Sequence, residues 1–472
     1  MKISPMALAP TLLLGGCLVG PDYHRPDAPV PPQFKELPGW TVAAPAAEAP
    51  KGDWWKAFND PLLDELEPLV AVSNQTVRED YANYQEALAE VQVARSALFP
   101  TLGVTGAASK SRGGSGVNYS NSPAVSAGSL EGNVSWAPDL WGKVRRGIEQ
   151  SKATAQASAA TLASATLLEQ TTLATTVIEL RITDVNTDLT QKTVKAYTEY
   201  LRVVANQGAA GTTAPSAVLT AKTQLESAQS SLIALGVARA QYAHAIAVLV
   251  GKNPEALEIP VSTFMPTLPQ VPVGLPSTLL QRRPDIAVAE RQMAAENAAI
   301  GVAVAAYYPT LTLTASAGFS QSPLAGLLHS ANHVWSLGAD ATETVLDFGE
   351  RHGEVAAAKA AYESAVANYR GTVLTALQNV EDDLSGLRIL ADQAAVLKSL
   401  VRDATRGAEI AFNEYQAGTV DYTTAATAQA VQFSAEESAL TVQQQRLLAT
   451  VSLFGDLGGG WVNPAPGPAS RP

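Results

Sequence analysis

The chain repeats itself once, and this limits what it can fold into more than any other feature. Ala94-Arg95-Ser96-Ala97-Leu98-Phe99-Pro100-Thr101-Leu102 returns as Ala303-Val304-Ala305-Ala306-Tyr307-Tyr308-Pro309-Thr310-Leu311. Trp141-Gly142 and Lys152-Ala153 return as Phe348-Gly349 and Lys359-Ala360, and Gly211-Thr212 and Ala221 as Gly418-Thr419 and Ala428. Landmarks in the same order, with a period near 207 residues, mark the duplication of a whole structural half. Such a period is far too long for a solenoid. Whatever one half builds, the other builds again.

Each half reads the same way. A helix stops before Phe99-Pro100 or Tyr308-Pro309, because a residue ahead of proline is driven towards extended geometry. Alternation follows, with Leu102 and Val104 in the first half and Leu311 and Leu313 among Thr310, Thr312 and Thr314 in the second. A period of two with one apolar face is a strand. The stretches Gly113 to Gly128 and Gln321 to His333 are loop-like, and a further strand is expected after each. The predicted strands, about 101–112 and 129–138, then 310–320 and 335–346, suit the roughly ten residues of a tilted transmembrane β-strand. Trp136, Trp141, Trp335, Phe319 and Phe348 fall near strand ends. An interfacial aromatic girdle would place them there, and so would packing at helix–strand junctions.

Two helices complete each half. One is predicted from about 142 to 206 and its counterpart from about 349 to 414, neither holding a proline. At roughly 1.5 Å per residue each makes a rod of roughly 100 Å. Spacings of three and four recur at Leu173, Val177, Leu180, then Val194, Tyr197, Leu201, Val204. The second half repeats them at Leu377, Val380, Leu384, Leu387 and at Leu390, Ala394, Leu397, Val401. That is a coiled-coil seam. Small residues at Gly208 to Thr213 and at Gly418-Thr419 reverse the chain, which returns as Ser216 to Val250 and Tyr422 to Leu453.

Composition agrees with rods more than with an ordinary globule. Only 16% of residues are charged and 6% aromatic, and the Ala-rich stretches favour helix and close helix approach. With 44 acidic against 32 basic residues and a net charge of -12, no cationic face is available for phosphates, so nucleic acid is not an expected partner. The acidic excess is solvated surface or the lining of a cation-favouring conduit.

Cys17 is the single cysteine, so no internal disulfide can form. Lys2 and the short apolar run Met6 to Gly16 precede it. The run is too short for a bilayer, which takes about 20 residues, and reads as a signal peptide over 1–16. Leu14-Gly15-Gly16-Cys17 resembles the lipobox of bacterial lipoproteins. That resemblance implies a covalent lipid on Cys17, and Leu18 in place of aspartate implies sorting to the outer membrane. The alternative is an incidental or buried cysteine after an ordinary signal. No later segment is a continuous apolar run of 18 or more residues, so a membrane crossing would need strands closed into a barrel. Four strands per chain cannot close one, and an open edge is not viable in lipid. Three chains would supply twelve strands, a workable barrel.

The sequence resembles the TolC-like outer-membrane factor family, and within it the NodT-type efflux lipoproteins, from Cys17 to Trp461. Trp54-Trp55-Lys56-Ala57-Phe58-Asn59-Asp60-Pro61 resembles the family's opening motif, with Asp60 and Pro61 suited to start a helix. Leu279-Leu280-Gln281-Arg282-Arg283-Pro284-Asp285-Ile286, then Ala289-Glu290 and Ile300-Gly301-Val302-Ala303, form the most specific match. Leu457-Gly458-Gly459-Gly460-Trp461 resembles the closing motif. The implied fold is a mixed α and β membrane protein, a homotrimer with a 12-stranded β-barrel continuous with a long periplasmic α-helical barrel. The implied organisation is a lipid-anchored segment over 17–60, repeats over 61–260 and 276–456, a linker over 261–275 and a tail over 457–472.

The implied function is the outer-membrane duct of a tripartite efflux system, a passive path for small molecules such as drugs, toxic compounds or metal ions. Its expected partners are outer-membrane lipid, a periplasmic adaptor and an inner-membrane pump of the resistance-nodulation-division type. By the same resemblance Gly211, Thr212, Gly418, Thr419 and Val420 are candidate adaptor-docking tips, and are good turn residues in any case. The family often reads G-x-V-x-Y-L-x-V-L-D-A-Q after the second turn, with the aspartate in an acidic constriction. Here the expected leucine is Thr423 and the expected aspartate Thr427, so Asp421, Thr423, Thr424 and Thr427 are the candidate constriction. Threonines offer hydroxyls and methyls where carboxylates would concentrate negative charge, which predicts a less cation-selective opening.

No enzyme and no cofactor is expected beyond the lipid. His24, His244, His329, His333 and His352 are scattered, and His329 and His333 lack the further ligands of a metal site. Glu381-Asp382-Asp383 is expected on a solvated or tube-lining face. No phosphate loop or nucleophile–base set stands out. The rival readings are a lipid-anchored coiled-coil spacer or adhesive protein that conducts nothing, and a duct for protein secretion.

Overall fold

A computed structural model describes residues 18–28, 30–36, 53–112, 124–269 and 282–459. Cys17, the signal segment and Gly460-Trp461 lie outside the described residues, as does most of the stretch read as a loop over 113–128.

A 3-10 turn over Trp54–Phe58 leads into α1 (Pro61–Ser73), whose N-cap Asp60 accepts from the Leu62 N–H with Pro61 at the first helical position. Next come α2 (Gln75–Ser96), strands β1 (Thr101–Ser111) and β2 (Val125–Trp136), and helices α3 (Lys143–Ala209) and α4 (Pro215–Leu249). The second half runs α5 (Pro284–Ala305), β3 (Thr310–Gln321), β4 (His333–Thr342), α6 (Glu350–Gln416) and α7 (Tyr422–Asp456). Both α3 and α6 have 67 residues and both α4 and α7 have 35, so the duplication holds to the residue in the lengths of these helices.

The strands form one antiparallel sheet in the order β1-β2-β3-β4. Two boundaries differ from expectation. β2 starts at Val125 rather than near 129, because Val125 pairs with Ser111 and the ladder follows β1 to its end. β4 occupies 333–342 rather than 335–346, because Thr342 already faces Thr310, the first residue of β3, and Pro309 ahead of it has no N–H with which to extend the ladder. Directly opposed pairs carry Leu102 to Val134, Ala315 and Leu337, and Gly106 to Leu130 and Phe319. One face is therefore apolar. The other carries Thr105, Glu131, Asn133, Thr312, Thr314, Ser316 and Asp340.

The compact units are not the sequence halves. One comprises Met1–Asp27, Tyr84–Ala157 and Ala289–Tyr369, and the other Ala28–Asn83, Ser158–Val288 and Arg370–Pro472, so each draws on both repeats. The first unit holds the sheet. In it the segment after Cys17 lies against helices: Arg146, almost wholly buried, donates to the carbonyls of Val19 (3.1 Å) and Gly20 (3.2 Å), to Asp22 (2.9 Å) and to Glu149 (2.7 Å). Asn297 Nδ2 donates to the Pro21 carbonyl at 3.0 Å, and Tyr23 Oη donates to Glu290 at 2.7 Å. A Cβ on Gly301 would stand 2.7 Å from Arg146 Cγ and 2.9 Å from its Cδ. Only glycine lets Arg146 and the strap share that space. Gly301→Val is expected to cost ~1–3 kcal/mol through overpacking, read as a lower unfolding midpoint and faster proteolysis near residues 18–22; an unchanged midpoint would refute the packing role.

The second unit has a core of Trp54, Trp55, Phe58, Leu63, Leu66 and Val70 against Leu173, Val177 and Leu180 of α3, Ile246 of α4 and Leu447 and Val451 of α7. Each fully buried aliphatic side chain contributes roughly 1.5–3 kcal/mol. The seam is buried at Val380 and Leu384 but only half-buried at Val194, Tyr197, Leu390 and Leu397. By length and composition α4 could cross a membrane, although Ser, Gln, Arg239 and His244 keep it from being an unbroken apolar run.

Candidate functional site at the helical turns and the sheet edges

The two helical turns are built alike. At the end of α3, Gly211 adopts φ 69° and Thr212 donates both its backbone N–H and its hydroxyl to the Gln207 carbonyl, each at 2.9 Å. At the end of α6, Gly418 adopts φ 74° and Thr419 bonds the Glu414 carbonyl in the same way, at 3.0 Å and 2.9 Å. A left-handed residue followed by a backbone N–H reaching back over the last turn is how a helix satisfies its final carbonyls. Positive φ is the physical reason for glycine at both places. The exits differ: Pro215 opens α4 without a side-chain cap, whereas Asp421 caps α7.

Behind the turns lies a small aromatic core. The Tyr200 and Tyr422 rings stack with centroids 5.3 Å apart, and Tyr415 meets Tyr422 edge-on at 4.7 Å. Val204 of α3, Ala221 of α4 and Ala426 of α7 close around them. Residues from both hairpins thus share one cluster. Burial holds the Tyr422 hydroxyl above its ordinary pKa.

Asp421, Thr423, Thr424 and Thr427 line one open hollow of about 430 Å³, with Ala428 and Val431. The Thr424 hydroxyl and backbone N–H donate to Asp421 Oδ1 at 2.8 Å and 2.9 Å, which holds that carboxyl below the usual carboxylate range. Thr427 is exposed, and its hydroxyl donates to the Thr423 carbonyl at 2.8 Å. The hollow therefore offers threonine methyls and oxygens and one carboxylate. Tyr422, Ala425 and Ala426, interleaved with them, face the core.

Both sheet edges are exposed along their length. Leu102 and Val104 on β1 are about three-quarters exposed, at 76% and 75%, as is Leu337 on β4 at 76%. At the β2–α3 corner, Trp141 stacks on Tyr308 at 4.9 Å and its Nε1 donates to the Pro309 carbonyl at 2.8 Å. Trp136 Nε1 donates to the Leu98 carbonyl. These two tryptophans sit at helix–strand junctions, while Trp335 stands exposed on the apolar face. His333 meets Phe319 edge-on as β4 begins.

In the acidic run Glu381-Asp382-Asp383, Asp382 is exposed as expected of a solvated face, whereas Glu381 and Asp383 are half-buried and engaged. Glu381 accepts the backbone N–H groups of Lys35 (2.6 Å) and Glu36 (2.9 Å), tying the N-terminal segment to α6. Burial, and then the Asp456 carboxylate, push Asp383 up to about 8. Arg283 of the Arg-Arg-Pro-Asp motif donates to Asp456 at 2.7 Å and grips Asp285 through two bonds of 3.0 Å and 2.8 Å. The motif is therefore a polar anchor between the start of α5 and the end of α7. Gly458, at φ 88°, could not carry a side chain there, since a Cβ would lie 2.5 Å from the Arg282 carbonyl oxygen.

Comparison with known proteins matches this architecture. The family profile described as outer membrane efflux protein covers residues 68–252 and 275–459, once in each half. The probable efflux pump outer membrane protein TtgC of Pseudomonas putida is 31% identical over 475 aligned residues, 98% of this chain and 96% of the relative. Outer membrane protein OprJ of Pseudomonas aeruginosa is 29% identical over 96% of this chain and 95% of its own. The solved outer-membrane channel OprN superposes with a TM-score of 0.87 at 27% identity, covering 95% of this chain and all of that one. The open-state MtrE channel of Neisseria gonorrhoeae has the same fold, with a TM-score of 0.84 at 24% identity.

Proposed function

Because the chain belongs to the outer membrane efflux protein family, we propose that three copies form the passive outer-membrane duct of a tripartite efflux system. The observation that carries this reading is the four-stranded sheet with one apolar face and two open edges, joined to a pair of 67-residue helices. An apolar face suits lipid, and open edges demand closure by further copies. Twelve strands make a barrel, and the helical hairpins continue it as a tube. A spacer that conducts nothing has no use for such a sheet.

A periplasmic adaptor and an inner-membrane pump complete the system, with the turns at Gly211-Thr212 and Gly418-Thr419-Val420 as the docking tips. Their exposure and matched geometry support that role. Energy comes from the pump, and the duct performs no catalysis. Cys17 carries the lipid. Support comes from the lipobox-like Leu14-Gly15-Gly16-Cys17 and from Val19 and Gly20, whose carbonyls are bonded by Arg146.

The native mass of protein extracted from outer membranes in mild detergent is expected to equal three lipidated chains, and Cys17→Ser to remove the lipid. A monomer or dimer would refute the duct. At the constriction, Asp421 and the three threonines face the passage. Thr427→Asp adds one carboxylate per chain to that exposed face and is expected to raise cation over anion permeability several-fold in bilayer recordings. Unchanged selectivity would remove Thr427 from the constriction.

A further inference from the structure

The turn between β3 and β4, at the end of the sheet opposite the helix–strand junctions, folds back over one face of the sheet. A Cβ on Gly128 would stand 2.2 Å from Leu324 Cδ1, so Leu324 lies on the side to which a side chain at position 128 would point. Alternate residues of a strand share a face, and that side is the one carrying Leu130 and Val134. Leu324 therefore rests on the apolar face, in space that only a glycine at 128 leaves open. Its N–H donates to Ser126 Oγ, on the same face, at 3.4 Å.

Internal bonds hold the turn in shape. Gly326, at φ 83°, reverses the chain. Its carbonyl accepts from the His329 N–H at 3.0 Å and from Asn332 Nδ2 at 2.8 Å, and the Leu327 N–H donates to the Leu324 carbonyl at 3.3 Å. Polar groups of the turn are thus paired with one another, while Leu324 stays 41% exposed and Leu328 65%. Two exposed leucines alone would mean little. These two prolong an apolar face on which Trp335 and Leu337 are already exposed, and a continuous apolar surface of that kind marks a contact with lipid or protein.

Charge narrows the choice. The chain has 44 acidic residues, yet none falls in 102–130 or 311–339. Within the four strands the only carboxylates, Glu131 and Asp340, are on the polar face, and the only Lys or Arg, Lys110, is on the apolar one. Lys110 is exposed, one residue from the end of β1, and sits opposite Ser126, the residue that bonds Leu324. His333 opens β4 on that same face. The apolar face thus ends in leucines and a cation with no acid beside them, which suits the boundary between acyl chains and phosphate heads. A second copy is a poorer occupant, because it would meet the sheet at its edges, and Gly128 belongs to the inner strand β2.

Resting on the duct reading above, we infer that the β3–β4 turn is a lipid-binding foot. Leu324 and Leu328 enter the acyl region of the outer leaflet, and Lys110 binds the phosphate-bearing heads around them.

The test uses the full chain with Leu328→Cys, labelled with a nitrobenzoxadiazole fluorophore and returned to phosphatidylcholine vesicles, with the parent protein as the blank for Cys17. A nitroxide on the lipid acyl chains is expected to quench most of the emission, and aqueous iodide several-fold less. The same label at Ser320→Cys, on the polar face of β3, should show the reverse order. Quenching at 328 by iodide alone would put the turn in water, and protection from both quenchers would put it under protein. Either result, in a protein of three-chain native mass, would overturn the foot and leave the duct standing. A monomeric native mass would overturn both. When nitroxide-bearing phosphatidylglycerol competes with phosphatidylcholine, the labelled chain is expected to prefer the anionic lipid, and Lys110→Gln to lower that preference about fivefold without changing quenching in phosphatidylcholine. An unchanged preference would overturn the phosphate contact.

Discussion

Replacing Arg181 by methionine is expected to destabilise the unit built around α1 and α3 by ~3–5 kcal/mol, the usual cost of removing one partner from a buried ion pair. Asp60 is wholly buried and Arg181 nearly so, and they meet through two bonds of 3.0 Å, Nε to Oδ2 and a terminal nitrogen to Oδ1. Asp60 also caps α1 by accepting from the Leu62 N–H at 2.9 Å. The guanidinium carbon lies 5.6 Å from the centre of the Phe264 ring. With the cation gone, a carboxylate would remain in the core with only the cap to satisfy it. The denaturant midpoint of purified protein should fall accordingly. Asp60→Asn in the same chain should recover much of the loss, since neither charge is then left alone. A loss below about 1 kcal/mol in the single variant would show that water reaches Asp60 and that the pair is not a core element.

The second large effect concerns Glu67, where substitution is expected to stabilise. Its side chain is wholly buried in α1 between Leu63, Leu66 and Val70, and neither carboxyl oxygen has a hydrogen-bond partner among the described residues. Burial pushes it from the ordinary 4.5 up to about 9. The folded chain therefore keeps this proton where the unfolded chain has released it. Stability should be highest below pH 4.5 and fall as pH rises towards about 9, with a slope near 1.4 kcal/mol per pH unit from this group. Glu67→Met removes the unpaired polar group and should stabilise by ~1–3 kcal/mol at neutral pH. It should also flatten the pH profile, leaving the smaller fall of the same sign from Asp383, which burial and Asp456 raise to about 8. A steeper profile, or a less stable variant, would mean that Glu67 has a partner in the assembled protein.

Much of this was legible in the sequence for definite reasons. The duplication, the strand alternation after each aromatic-proline pair and the long proline-free helices depend on local pattern, and local pattern survives folding. Gly211 and Gly418 were legible as turns because positive φ leaves few other choices. What could not be read is what depends on distant partners. Nothing near Glu381 announces that its carboxylate holds Lys35 and Glu36, and nothing near Glu67 marks it as unpaired. The limits of β2 and β4 followed their partners' lengths, which alternation does not encode. Asp421, Thr423, Thr424 and Thr427 came from a family motif, and their shared hollow follows from spacing along one helix face.

The two open sheet edges also have a genetic consequence. If each ring needs a sound β1 and a sound β4 at every junction, one chain with a broken edge spoils the ring it enters. In a cell making equal amounts of intact and edge-broken copies, only about one ring in eight would contain none of the broken kind. Such alleles would be dominant, and drug sensitivity would spread from the defective copy to the healthy one. Changes confined to the core of a single chain, such as those at Arg181, would instead remove that chain before assembly and behave as recessive.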